Sequence, residues 1–179
     1  MNIDELITKW NQKRSDWDDK FERHFSSSDD LLAIVLRGHL LIEGFIDNLN
    51  RHCFHFPEFY DEANLTFQKK LLIAQAQILE PGPSIFPAIR ILNELRNNLA
   101  HNLESPKKEP KINAFLELVE SRYSQEFIEV LQERCEANPS LEMRVKRAIS
   151  YVFGRLQVLD NFIEFLENNR HYGDSTNKV

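Results

Sequence analysis

Apolar residues recur along the chain at the three- and four-residue spacing of helices, and no stretch alternates as a strand would. Residues 3–24 predict a first helix with Ile3, Leu6, Ile7, Trp10, Trp17 and Phe21 along one side. "SSSDD" breaks the pattern and offers N-cap side chains. A second helix is expected over about 29–52, apolar nearly all round through Leu31, Ile34, Val35, Leu41, Ile42, Phe45, Ile46 and Leu49. Such a helix belongs at the centre, covered on most sides. "RHCFHFPEFYDEAN" reads as a connector whose aromatic residues fold back onto the bundle.

Thr66 can cap a third helix through Leu71, Leu72, Ala74 and Ile78, which "EPGPS" ends. A fourth helix starts near Pro87, a residue tolerated in the first turn, and runs to about Leu103. "ESPKKEPK" predicts a basic loop, and 111–136 predict one helix or a pair. Ser140 caps a long last helix with the stripe Leu141, Val145, Ile149, Val152, Leu156, Leu159, Ile163 and Leu166. No repeat or composition shift divides the chain. The expected fold is all-α: a single domain over 1–170, a bundle of about six helices, then a polar tail at 171–179.

Composition narrows this further. The 179 residues are 42% hydrophobic and 28% charged, a globular balance with enough chain for one unaided core. No apolar run approaches the roughly 20 residues of a membrane span. "MNIDELITKW" carries acids where a signal peptide is basic and then apolar, so a cytoplasmic protein is expected, with Cys53 and Cys135 as reduced thiols. The net charge is −6, but residues 66–111 hold seven basic groups against four acids, +3 locally and −9 elsewhere. Either solvated helix faces or a phosphate-facing surface fits that unevenness.

The fourth helix raises a chemical question in "LNELRNNLAHNL". At about 100° per residue, Ile85, Ile89, Leu92, Leu99 and Leu103 share an arc that also contains Arg96. Asn97 and His101, one turn apart, lie on the opposite, polar side. Arg96 and His101 are separated by roughly 140° and about 7.5 Å along the axis. An arginine in an apolar arc needs a carboxylate, a phosphate or a wet crevice. The second helix offers His39, Glu43 and Asp47 in one polar line, with Glu43 read as the most enclosed. An Arg96–Glu43 pair locking two helices is one account of Arg96, and His101 is then an exposed helix-end histidine.

"RNNLAH" also resembles the Arg-x4–6-His signature of the HEPN superfamily, with Arg96 and His101 at its ends and the usual polar residue after the arginine present as Asn97. The second helix, with its embedded acid, is similar to the second helix of several such domains, so the resemblance covers roughly residues 29–105. It implies a metal-independent endoribonuclease, commonly a toxin or antiphage-defence effector, that cleaves RNA as a homodimer and is sometimes restrained by an antitoxin. It assigns His101 to acid–base work or to holding the ribose 2′-hydroxyl, Arg96 to the phosphate, and Asn97 to orienting His101 or the phosphate. Glu43 would support Arg96, and Lys107, Lys108 and Lys111 would meet the substrate. No cofactor or metal is implied.

The alternative is a catalytically silent HEPN-like regulator or binding protein; the chain is also similar to mannitol-operon repressor-type helical regulators. No helix-turn-helix with a basic recognition helix is visible. His52, Cys53 and His55 match no standard zinc spacing and read as a packed connector, and Trp10 and Trp17 read as core.

Overall fold

The computed structural model describes residues 8, 12, 19, 23–25, 30–77, 84–101, 108–123, 125, 128–129 and 138–173, without the side chains of 101, 108, 162 and 164–173. The helices with full ranges are α1 (Leu31–Cys53), α2 (Pro57–Glu62), α3 (Phe67–Gln77), α4 (Phe86–His101), α5 (Lys108–Glu120) and α6 (Leu141–Gly173). Among the described residues there is no strand, and the fold is all-α as the periodicity requires. Residues 8, 12, 19 and 23–25 are helical too; Trp10, Trp17 and the rest of the first expected helix lie outside the described residues.

Local chemistry sets the helix ends. Asp30 caps α1, its carboxylate accepting from the Leu32 N–H at 3.0 Å. The C-terminal turn of α1 carries Arg51 and His52, which suit the negative end of the helix dipole. Pro57 opens α2, and Asn64 follows it with φ 48°, a left-handed conformation that asparagine tolerates. Ser84 Oγ accepts from the Phe86 N–H at 3.3 Å at the start of α4. Ser140 caps α6 through the Met143 N–H at 3.2 Å, as expected of it.

α1 is the centre of the bundle and packs against α3, α4 and α6; α4 packs on α5, and α5 on α6. The four longer partners α1, α4, α5 and α6 therefore close a ring around one core. Ile42, Ile46 and Leu49 of α1 fill it together with Ile89, Leu92 and Leu95 of α4, Phe115 of α5, and Ile149, Val152 and Leu156 of α6, all fully buried. Removing that much apolar surface from water is the main force holding the ring. At Gly38 the backbone of α1 comes so close to α6 that an added Cβ would sit 2.6 Å from Ile149 Cδ1. Glycine is required there by proximity, not by backbone conformation.

Two expectations about elements need correcting. The connector forms a short helix, and although Tyr60 is buried, Phe54, Phe56 and Phe59 do not fold back onto the bundle but stay exposed. The last helix continues to Gly173, past residue 170 where the tail was placed, and its stripe begins with a partly exposed Leu141 before Val145 enters the core.

Candidate functional site

The polar line on α1 does come together with α4, but with different partners from those expected. His39 is the most enclosed of the three, 2% exposed. Its Nε2 meets Asn93 Oδ1 of α4 at 3.0 Å, and its ring packs on Phe67 with centroids 4.4 Å apart. Burial pushes the His39 pKa below its usual value; Asn93 and Glu43 pull the other way, and the positive charge of Arg96 adds to the lowering. A neutral ring donates from Nε2 to Asn93 and leaves Nδ1 as a bare acceptor. That accounts for its 3.8 Å separation from Glu43 Oε2, and for the absence of a hydrogen bond to Nδ1 among the described residues.

Glu43 and Asp47 share the ammonium of Lys70 on α3, whose Nζ lies 3.3 Å from Glu43 Oε1 and 2.9 Å from Asp47 Oδ2. Burial works against the Lys70 charge, but Asp47 and then Glu43 outweigh it and raise its pKa. Asp47 also accepts from the Tyr60 hydroxyl at 2.8 Å, and Asn50 donates to that hydroxyl at 3.0 Å and to the Lys70 carbonyl at 3.0 Å. Burial pushes the Tyr60 phenol up to about 12, so it stays a neutral donor. This seam joins α1, α2 and α3.

Arg96 is therefore not the partner of Glu43. Its Nη1 donates to Asn97 Oδ1 at 2.9 Å, and the side chain is half-buried at the flank of the apolar face. Three buried residues of α4 were left out of the sequence projection, Phe86, Ala88 and Leu95. Ala88 and Leu95 extend the buried arc on the side away from Arg96 and leave it off-centre. Asn97 thus accepts from Arg96. His101 is the last residue of the α4 range before Asn102, with its side chain outside the described residues.

Lys111 of α5 is held by Glu94 of α4, so its charge is already partnered. Lys108 begins α5 with its side chain outside the described residues, and Lys107 lies outside them altogether. His52 leans on Asp160 of α6 at 3.3 Å, and His55 is exposed. Among the described residues no group of three His, Cys, Asp or Glu side chains is placed to hold a metal ion. No helix of the described residues is long and apolar enough to cross a membrane.

Sequence reasoning missed Lys70 and Asn93. Lys70 stood in the basic stretch without a partner assigned, and Asn93 sits one turn before Asn97, the spacing that puts both on one side of α4. Compared with protein families, with curated proteins and with solved structures, the chain matches none.

Proposed function

We propose that the protein is a metal-independent endoribonuclease of the HEPN type, working as a homodimer in which two α4 helices border one RNA cleft. The observation that carries this reading is the state of Arg96. Among the described residues it forms no ion pair with a carboxylate, and Asn97 alone steadies its guanidinium at the edge of the core. The purely structural account of Arg96 rested on Glu43, and Lys70 has taken Glu43. A half-exposed, oriented guanidinium is suited to a phosphate, which it can meet with two parallel hydrogen bonds.

In this reading the ribose 2′-oxygen attacks the adjacent phosphorus and the bond to the 5′-oxygen breaks. The 2′-hydroxyl loses its proton and the 5′-oxygen gains one, leaving a 2′,3′-cyclic phosphate and a 5′-hydroxyl. His101 acts in the proton transfers, and Arg96 stabilises the charge that builds on the phosphate oxygens. Within one helix the two residues point roughly 140° apart. A second copy, crossing near the end of α4, supplies the missing half. A toxin or defence effector restrained by an antitoxin is the matching biological role.

The test is RNA cleavage in EDTA by the wild type, Arg96→Ala and His101→Ala, with cyclic-phosphate ends as the readout. Loss in both variants with folding intact is expected. Normal cleavage by His101→Ala overturns the mechanism, and RNA binding without cleavage by the wild type favours the silent regulatory alternative.

A further inference from the structure

The connector between α1 and α3 presents phenyl groups to solvent from a fixed platform. Phe56 is 65% exposed and Phe59 64%, and their rings touch edge to face with centroids 6.2 Å apart. Nearby in the connector, Phe54 is also exposed and stacks on Tyr60 at 5.7 Å. The platform is well anchored: the Tyr60 hydroxyl is gripped by Asp47 and Asn50, and Arg51 pairs with Asp61 at 2.8 Å. A contiguous exposed aromatic patch on an anchored helix is the mark of an interaction surface.

The charge beside the patch defines what it fits. Glu58 and Glu62, both exposed, stand one turn apart on α2, about 6 Å along its axis, and fall on the same side of Phe59, roughly 100° and 60° round the helix from it. Asp61 is already neutralised by Arg51, so these two carboxylates are the available charges on α2. A row of phenyls beside a row of carboxylates is complementary to a helix with aliphatic residues along one face and arginines or lysines one turn apart next to them. Arginine suits the position doubly, since its guanidinium can lie on a phenyl face while bonding a carboxylate. We infer that the Phe56–Phe59 corner of α2 is the docking surface for a basic amphipathic helix of a partner protein, seated by its aliphatic face and oriented by Glu58 and Glu62.

The experiment measures binding of two labelled, stapled helical peptides to the full chain at low salt. Both carry leucines along one face; one has arginines at i and i+4 beside them and the other has glutamates there. The arginine peptide is expected to bind at least tenfold more tightly. Phe56→Ser/Phe59→Ser should weaken it at least tenfold, and Glu58→Arg/Glu62→Arg should reverse the preference between the peptides. Thermal melts of both variants should match the wild type, because every substituted side chain is exposed. Binding of neither peptide, equal binding of both, or binding indifferent to the phenyl substitutions overturns the inference. So does a fall in the chain's own oligomeric mass in Phe56→Ser/Phe59→Ser, which would give the patch to a second copy. RNA cleavage is not read out, so the outcome is separate from that of the ribonuclease proposal.

Discussion

His39 on α1 and Asn93 on α4 meet at 3.0 Å across the two helices that position the candidate site. Because burial holds the His39 pKa below its unfolded value of 6.5, the unfolded chain binds more protons than the native chain at pH values between the two. The contribution to stability is complete above the unfolded pKa. It begins to be lost as the pH drops below 6.5, and loss is complete below the lowered native pKa. Urea unfolding between about pH 7.5 and pH 5.5 should show wild-type stability falling, with a slope from this residue of at most about 1.4 kcal/mol per pH unit. His39→Gln, which retains a donor for Asn93, should flatten the curve over that range. An unchanged slope would mean that His39 titrates normally.

The pairing of Glu43 and Asp47 with Lys70 separates two substitutions that the sequence made look alike. Lys70→Ala leaves two partly buried carboxylates facing each other and should destabilise the fold by about 1–3 kcal/mol. Arg96→Ala removes a contact to a neighbouring side chain on the same helix and should lose less than about 1 kcal/mol. Denaturant melts of the two variants check this. A larger loss from Arg96 would restore a structural role for it.

Gly38 and Gly44 lie on the same helix and should respond oppositely to alanine. At Gly38 the new methyl group meets both branches of the fully buried Ile149 side chain, so a loss of about 1–3 kcal/mol is expected. At Gly44 a Cβ meets nothing within 4 Å, and the gain in helix propensity should stabilise by up to about 1 kcal/mol. Ile149→Val in the Gly38→Ala background should recover part of the loss.

If Asn97 steadies Arg96 for a phosphate, Asn97→Ala should slow RNA cleavage roughly tenfold while leaving the thermal midpoint nearly unchanged. Asn97→Asp should slow it as well, because a carboxylate would neutralise the guanidinium that the phosphate needs. Single-turnover cleavage rates distinguish these outcomes from a simple loss of binding.

Much of the fold was legible because burial follows the helical period. Ser140 was visible as a cap, "SSSDD" offered the stretch from which Asp30 caps α1, and the all-round apolarity of Leu31 to Leu49 placed α1 at the centre. The partners of charged side chains were less legible. A helical projection gives direction on one helix, but the choice between Arg96 and Lys70 as the partner of Glu43 depends on how α3 and α4 lie against α1. Small residues mislead in the same way: leaving out Ala88 shifted the apparent core face of α4 toward Arg96. The aromatic residues of the connector were expected to fold back onto the bundle, but a phenyl ring carries no polar atom by which a neighbour can hold it there. Only Tyr60, with a hydroxyl that Asp47 can hold, turned inward.

The helix that carries the arginine is tied to three neighbours by separate side-chain bonds. Asn93 holds it to α1, Glu94 to Lys111 of α5, and Arg90 to Gln75 of α3 at 2.8 Å. An effector that worked by displacing α4 would have to break all three attachments together, whereas one that covered the open side of Arg96 would break none. If Arg96 acts on RNA as proposed, inhibition by occlusion is thus easier in this architecture than inhibition by distortion, and a bound inhibitor should leave the backbone of α4 where it is.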